Sequence, residues 1–275
     1  LAQYGDVYVN DAFGVCHRKH ASVYDLPMMM KEKAAGLVLE RELRALKPIM
    51  KGNLEDPFTL IIGGAKIDTK LGLIEHFANK ADAFLLGGGI ANTFLFAEGY
   101  DVGESLKEGD KVGLARKIAM KLEVKRGTRL HLPIDVVCAD EPGEQASAID
   151  VPVEDVMGNM KIFDIGAKTS GHYVDMISKS KTIIWNGPMG MIEYSHFRYG
   201  SEAIARAMAE ADATTIVGGG ESVALINVLG IPHEKFTHVS TGGGAMLQYL
   251  SGEELPGLVA LGQNTGGSAN LNKPP

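Results

Sequence analysis

Short apolar runs alternate with longer amphipathic segments along most of the chain. The runs are rich in β-branched residues and end at a glycine or a polar turn, which is typical of strands buried on both faces. They lie at residues 7–10, 58–64, 82–89, 129–135, 181–188, 214–220 and 236–240. Segments with helical spacing lie between them, at residues 32–50, 69–81, 111–125, 201–211 and 221–230. The alternation predicts an α/β fold whose mostly parallel sheet is covered by helices on both faces.

Glycine-rich polar motifs follow five of the predicted strands, at residues 63–64, 87–89, 186–188, 218–220 and 241–244. Because open α/β sheets bind ligands at the carboxyl ends of their parallel strands, we expect these motifs to gather at one edge of the sheet. Helix starts at the same edge present unpaired N–H groups to an anion. A single glycine pair is more often a tight turn. The repetition of such motifs predicts a composite site whose backbone is closely approached by a phosphate.

Lys66 and Lys70 are four residues apart at the start of a predicted helix, so both ammonium groups lie on one helix face. Lysines at a helix start oppose the helix dipole, and an anionic ligand would offset that repulsion. Solvated surface lysines explain this motif equally well. Glu221, which follows the glycines at 218–220, also has two interpretations. It is either a ligand of Mg²⁺ together with nucleotide phosphates or a first-turn acid favoured by the dipole.

A compact basic cluster, His17 to His20, follows the first predicted strand. The planar guanidinium of Arg18 suits recognition of a phosphate or a carboxylate, and the alternative is a solvated loop. A zinc site formed by Cys16, His17 and His20 is disfavoured, because adjacent ligands rarely suit tetrahedral coordination.

Composition narrows the class of protein. The chain has 275 residues, of which 45% are hydrophobic and 22% are charged, which is ordinary for a globular protein. A formal charge of -7 argues against a broad basic surface for nucleic acid or an anionic membrane. Cys16 and Cys138 form no disulfide framework, which fits a reducing cytoplasm. The sequence contains neither a GxxxxGK[ST] nor a GxGxxG motif, so a Walker-type or Rossmann dinucleotide site is disfavoured.

Taken together, the motifs resemble the phosphoglycerate kinase family. The resemblance covers about residues 4–260 and rests on YVNDAFGVCHRKHAS, GGAKIDTKLGLIEHF, LLGGGIANTF, WNGPMGMIE, IVGGGES and HVSTGGGAMLQYLSGEELPG, in the family's order. It implies a three-layer α/β/α fold with a mostly parallel six-stranded sheet and a Rossmann-like nucleotide lobe. It also implies a cytoplasmic, monomeric glycolytic enzyme that uses Mg²⁺ and acts on small molecules, and that binds neither nucleic acid nor membrane. The implied reaction is reversible phosphoryl transfer between 1,3-bisphosphoglycerate with ADP and 3-phosphoglycerate with ATP.

The resemblance also implies a role for individual residues. Those implied in nucleotide binding are Gly64, Ala65, Lys66, Lys70, Gly88, Gly89, Asn186, Pro188, Met191, Glu193, Gly219, Gly220, Glu221, Ser222, Thr241 and Gly242. Those implied in binding the phosphoglycerate are His17, Arg18 and His20, and those implied in catalysis are Arg18, Lys66, Gly243 and Gly244. Glu221 is the implied metal ligand; the family usually has Asp there, and the extra methylene shifts the position of the ligand oxygen.

Four segments are expected on the same basis. Residues 1–31 correspond to a remnant of the N-terminal phosphoglycerate-binding lobe, 32–52 to an interdomain helix, 53–261 to the C-terminal nucleotide-binding domain and 262–275 to a flexible tail. Most residues that hold phosphoglycerate in the family have no counterpart in this sequence, so the isolated chain is expected to be incomplete for catalysis. The alternative hypothesis is a non-catalytic nucleotide-binding module derived from the family.

Overall fold

The computed structural model describes residues 1–123 and 129–262, and the chain divides into two compact units. The first unit consists of residues 1–54, residues 72–76 and the described residues from Ser240 onwards. The second unit consists of residues 55–71 and 77–239. The predicted tail over 262–275 lies outside the described residues except for Gly262, and so do the last two residues of the helix predicted over 111–125.

The strands of the parallel sheet alternate with helices, as the pattern predicts. The described strands are β1 (Val7–Asn10), β2 (Glu32–Ala35), β3 (Phe58–Ile62), β4 (Ala83–Leu86), β5 (Arg129–His131), β6 (Asp135–Ala139), β7 (Ile149–Pro152), β8 (Lys161–Ile165), β9 (Thr182–Asn186), β10 (Thr214–Gly218) and β11 (His238–Val239). The described α-helices are α1 (Asp25–Met29), α2 (Leu37–Met50), α3 (Leu71–Phe77), α4 (Gly88–Glu98), α5 (Val112–Glu123), α6 (Ala167–Lys179), α7 (Tyr199–Glu210), α8 (Gly220–Val228), α9 (Gly243–Leu250) and α10 (Pro256–Ala260). The helices α4 and α6 and the strands β7 and β8 are among the elements that lie outside the predicted segments. Within the described residues, no helix is both long enough and apolar enough to span a bilayer.

A six-stranded, all-parallel sheet forms the centre of the second unit, in the order β11-β10-β9-β3-β4-β5. Every residue of β3, β4 and β9 is buried, as the continuous apolar runs predict. From β3 the chain adds β4 and β5 on one side and later β9, β10 and β11 on the other. The strand order therefore reverses between β3 and β9, and such a reversal is where open α/β sheets leave a crevice for a ligand.

Helices cover this sheet, which confirms the predicted α/β/α fold class. Residues of α6, α7 and α8 pack with Ile61, Leu85, Trp185 and Val217, which lie on one face. The alternate residues of the same strands, such as Leu60 and Ile184, are fully buried too. Since successive strand residues point to opposite faces, both faces of the sheet are covered.

The second unit also contains a three-stranded antiparallel sheet, β7-β6-β8, which the sequence analysis did not predict. The apolar run at 129–135 spans two strands rather than one. Its first residues form β5 and its last begins β6, with Pro133 between them. Proline cannot donate to a strand ladder, so it marks the break.

The helix predicted from residue 32 is wrong over its first turn. Residues 32–35 form β2, which pairs in parallel with β1, and the helix begins at Leu37. Gly36 is extended, and the Asp11 carboxylate accepts hydrogen bonds from the N–H groups of Val38 (2.6 Å) and Leu39 (3.1 Å). A side chain from another part of the sequence therefore caps this helix, and spacing within residues 32–50 cannot reveal that.

Candidate functional site

Four glycine turns follow four neighbouring strands of the parallel sheet in the second unit. Gly64 follows β3, Gly88 follows β4, Gly187 follows β9 and Gly219 follows β10, and we call these four residues the glycine cluster. Their φ angles are +94°, +63°, +91° and +94°, a region that residues with a side chain rarely adopt. Each turn therefore depends on glycine for its backbone path, and together they line the carboxyl end of the sheet where the strand order reverses.

Backbone hydrogen bonds lock these turns to one another. The N–H of Gly64 donates to the Pro188 carbonyl (2.9 Å), and the N–H of Gly88 donates to the Met189 carbonyl (2.8 Å). A Cβ added to Gly63 would lie 2.0 Å from the Pro188 carbonyl oxygen, and one added to Gly187 would lie 2.4 Å from the Gly63 oxygen. Packing alone therefore requires glycine at positions 63 and 187.

Two glycines of the site, Gly64 and Gly220, have open space where a side chain would be. No described atom lies within 4 Å of the Cβ position of Gly64 or of Gly220, which begins α8. Their open sides leave the backbone accessible for a ligand, in line with the approach predicted from the sequence. Ala65 and Lys66, the next residues after Gly64, are exposed as well.

Lys70, Asn186 and Glu221 form the polar part of the same site. The Lys70 ammonium group donates a hydrogen bond to Oδ1 of Asn186, whose side chain is fully buried. Burial lowers the pKa of Lys70 to about 8, and the negative charge of Glu221 partly offsets this. The Nδ2 amide of Asn186 is buried without a partner among the described residues. A buried donor without an acceptor is costly, so the Asn186 amide and the Lys70 ammonium group are chemically suited to an anionic ligand.

The start of α8 is fixed by Ser222. This buried side chain accepts a hydrogen bond from the N–H of Gly187 at 3.1 Å, which ties α8 to the turn after β9. Glu221 is exposed at the same helix start. Within the described residues, no group of three or more histidine, cysteine, aspartate or glutamate side chains is placed to hold a metal. One carboxylate fits Mg²⁺ in a site where substrate phosphates supply further oxygens.

An apolar cavity of about 340 Å³ opens beside the glycine cluster. It is lined by Gly88 and Met191, which the sequence analysis named, and by residues that it missed, among them Leu106, Phe163 and Asp164. Burial raises the pKa of Asp164 to about 8, although its carboxylate accepts hydrogen bonds from the N–H groups of Ile165 and Gly200. The predicted residues Gly89 and Pro188 are buried, Gly89 in the first turn of α4 and Pro188 in the turn after β9. No local pattern marks Leu106 or Phe163, because only the folded chain brings them to Met191.

Glu193 lies in a second cavity, of about 450 Å³, together with Gly220, Glu221 and Arg198. Arg198 was not singled out in the sequence. Its Nε is buried and has no partner among the described residues. The cavity places Glu193, predicted to bind the nucleotide, beside the start of α8.

The remaining predicted residues lie in the first unit. The helix α9 starts at Gly243, and the Cβ position of Gly244 lies 3.2 Å from Nε2 of His17. The guanidinium Nε of Arg18 donates to Nε2 of His17 at 3.2 Å. Burial, followed by the charge of Arg18, lowers the pKa of His17. His17, Arg18 and the start of α9 are thus brought together, while His20 is exposed nearby.

Thr241 and Gly242 complete this second group. The Glu42 carboxylate accepts hydrogen bonds from the Thr241 N–H and hydroxyl. A Cβ on Gly242 would lie 2.8 Å from the Gly14 Cα, so the turn before α9 packs closely on the segment that carries His17.

Comparison with known proteins gives a consistent result. A family model described as phosphoglycerate kinase matches residues 1–253. The phosphoglycerate kinases of Roseiflexus sp. (strain RS-1) and Clostridium novyi (strain NT) are 48% and 44% identical over 261 residues, which is 95% of this chain and 65% of theirs. The solved phosphoglycerate kinase structure from Coxiella burnetii matches with a TM-score of 0.87 at 38% identity, covering 95% of this chain and 66% of that one. The chain thus spans about 65% of the length of the curated relatives it matches.

Proposed function

The chain belongs to the phosphoglycerate kinase family, and on that premise we propose that its second unit binds ADP or ATP for phosphoryl transfer. The observation that carries the proposal is the glycine cluster at the strand reversal, with Lys70 and the unpartnered amide of Asn186 beside it. The proposed reaction moves the γ-phosphoryl group of ATP to a carboxylate oxygen of 3-phosphoglycerate. The products are ADP and 1,3-bisphosphoglycerate, and the reverse direction serves glycolysis.

The nucleobase is proposed to enter the cavity of about 340 Å³. Its lining is mostly apolar, including Leu106, Phe163 and Met191, and flat aromatic ligands favour such surfaces with few polar groups. Gly88 lines this cavity at the start of α4, and Gly89 and Pro188 support the backbone around it. Glu193 is proposed to accept hydrogen bonds from the ribose hydroxyls.

The phosphates are proposed to lie over the open backbone of Gly64, Ala65, Gly219 and Gly220. Lys70 and Asn186 supply a cation and an amide donor at fixed positions, and exposed Lys66 is free to follow the phosphoryl group. Donors fixed before the reaction stabilise the charge that spreads over the transferring group without having to reorganise. No covalent intermediate with the protein is needed.

Glu221 is proposed to hold Mg²⁺ together with phosphate oxygens, while Ser222 fixes the start of its helix. When bound, the cation would neutralise charge on the phosphates. Because Glu221 is exposed and its charge acts on Lys70, this residue is close enough to the phosphate donors to serve both groups.

The first unit is proposed to carry the acceptor residues of this chain. His17, Arg18 and His20 form the basic group for phosphoglycerate, and Gly243 and Gly244 offer backbone amides at the start of α9 for a role in catalysis. Thr241 and Gly242 keep their proposed role in nucleotide binding, and their own N–H groups donate to Glu42 and Ser240. We keep the four segments at 1–31, 32–52, 53–261 and 262–275 as a proposal. A cytoplasmic location is proposed because both cysteines are free, buried thiols. The formal charge of -7 supports the proposal that nucleic acid and membranes are not partners. A monomer is proposed from the resemblance to the family alone.

Calorimetric titration with ADP and Mg²⁺ tests the nucleotide site. Saturable binding that weakens at least about tenfold in Lys70→Ala is expected, because the variant loses a buried cation aimed at the phosphates. Lys179→Ala is the matched control, since Lys179 is exposed and pairs with Asp175 on α6. The absence of binding in the unmodified chain would overturn the proposal.

Phosphoryl transfer is tested separately with ATP and 3-phosphoglycerate by coupled detection of ADP. Product formation that is lost in Lys66→Ala would support the kinase. Because the isolated chain is expected to be incomplete for catalysis, nucleotide binding without transfer by this chain alone fits both hypotheses. The same result from a hybrid in which a full-length relative supplies the missing third of the length would favour the non-catalytic nucleotide-binding module.

A further inference from the structure

Two histidines outside the proposed nucleotide site face each other in the second unit. His131 is the last residue of β5, the edge strand of the parallel sheet, and His172 lies on α6. Nδ1 of His131 and Nε2 of His172 are 3.3 Å apart. The ring centroids are 5.3 Å apart and the ring planes are inclined at 50°, so the rings do not stack and the two nitrogens face across a short gap.

The backbone holds this pair in place. Tyr173, which follows His172 on α6, is fully buried, and its hydroxyl lies within hydrogen-bond distance of two carbonyl oxygens, those of His131 (2.8 Å) and Leu86 (2.9 Å). The helix and the strand end are thereby tied together next to the two imidazoles. His172 is exposed while His131 is partly buried, so the gap can be reached from solvent on the side of His172.

We propose that His131 and His172 bind a divalent transition-metal ion such as Zn²⁺ or Cu²⁺. Two nitrogens 3.3 Å apart, each about 2.05 Å from a zinc ion, subtend about 107° at the metal, which is close to the tetrahedral angle. Imidazole nitrogen suits zinc, copper and nickel, whereas Mg²⁺ prefers oxygen ligands. Binding needs no net proton release from neutral rings, because each imidazole can carry its proton on the nitrogen that faces away.

The surroundings set how tightly such an ion binds. Among the described residues no third histidine, cysteine or carboxylate joins the pair, so solvent fills the other positions. The outward nitrogen of His131, Nε2, is buried without a partner, so it lacks the hydrogen-bond acceptor that usually strengthens a histidine ligand. Arg129 adds a positive charge nearby on the same strand. These three features predict a weak, exchangeable site that binds Cu²⁺ more tightly than Zn²⁺.

Titration of the chain, purified without a polyhistidine tag, with CuCl₂ and with ZnCl₂ tests the site, and electron paramagnetic resonance identifies the copper ligands. One ion per chain with nitrogen hyperfine structure is expected. Affinity falls by at least about tenfold in His172→Ala and in His131→Ala. His233→Ala is the matched control, because its imidazole is exposed and pairs with Asn227. Excess Mg²⁺ leaves the copper signal unchanged.

Arg129→Gln is expected to change the copper affinity in the opposite direction to the histidine variants. Removing the neighbouring positive charge should tighten copper binding several-fold, and a variant that fails to fold cannot produce this gain. The proposal is overturned if the unmodified chain shows no saturable copper binding, or if His172→Ala binds copper as the unmodified chain does.

Discussion

Glu42 on α2 and Thr241 before α9 are joined by two hydrogen bonds to a single carboxylate oxygen. Oε1 of Glu42 accepts from the Thr241 N–H at 2.6 Å and from the Thr241 hydroxyl at 2.8 Å. Oε2 accepts from the Ser240 hydroxyl at 2.9 Å, and the Glu42 side chain is 1% exposed. A buried charge with this many donors fixes the turn that leads into α9, so the glycines at the start of that helix depend on a residue nearly 200 positions earlier in the sequence.

Replacing Glu42 should therefore destabilise the fold strongly. Glu42→Ala leaves three donors without their acceptor, and we expect the free energy of unfolding to fall by about 3 kcal/mol in urea denaturation. Glu40→Ala on the same helix is the control, because Glu40 pairs with Arg44 at the exposed surface and should cost under about 0.5 kcal/mol. Equal losses in the two variants would contradict the assignment.

Alanine substitutions at two glycines of the candidate site should affect stability and nucleotide binding differently. Gly63→Ala places a methyl group 2.0 Å from the Pro188 carbonyl oxygen, so we expect a loss of more than about 2 kcal/mol in stability. Gly220→Ala meets open space at the start of α8, so its stability should change by less than about 0.5 kcal/mol.

Calorimetric titration with ADP measures the effect of Gly220→Ala on nucleotide binding. Gly220→Ala should weaken binding several-fold, because its methyl group stands where a phosphate is proposed to approach. Unchanged affinity in a stable Gly220→Ala chain would exclude that approach.

The positions of these glycines could be predicted from the sequence, but the reasons for them could not. Glycines at 63–64, 187 and 218–220 follow apolar runs, and a strand followed by glycine is a local pattern. Which glycine is required by packing and which is open depends on contacts between turns that are over a hundred residues apart. The same applies to the apolar cavity, where Leu106 and Phe163 reach Met191 only in the folded chain.

The secondary structure, too, could be predicted from the sequence only in part. The strands β3, β9 and β10 were predicted well because they are buried on both faces and lie next to glycine. The helix α4 was missed because nearly all its residues are buried, which removes the amphipathic period that identifies a helix. The strand β7 was missed because it is only partly buried and carries no continuous apolar run.

Asp164 should make stability fall as pH rises. Burial raises its pKa to about 8 in the folded chain, well above the value of 3.8 for an exposed carboxyl. The folded state therefore holds a proton that the unfolded state has lost between these two values, and stability declines over that window. In urea denaturation at several pH values between 4 and 8, Asp164→Asn should show a shallower decline than the unmodified chain. Asp175→Asn, an exposed member of an ion pair, should keep the original slope.

Lys70 should couple nucleotide binding to proton uptake. Its pKa of about 8 is lowered by burial, so a growing fraction of the side chain is neutral as pH rises from 7.5 to 9.5. A bound phosphate favours the ammonium form and raises the pKa again, so binding takes up a proton in this window. ADP affinity should then fall with rising pH, by at most about tenfold per pH unit.

Calorimetry of ADP binding in two buffers with different ionisation enthalpies measures this uptake directly. Lys70→Arg is the diagnostic variant, because a guanidinium stays charged throughout the range and should remove the pH dependence while retaining binding. Lys179→Arg changes an exposed lysine in the same unit and should leave the dependence intact. If proton uptake in Lys70→Arg is as large as in the unmodified chain, another group titrates with the nucleotide and the prediction that Lys70 takes up the proton is wrong.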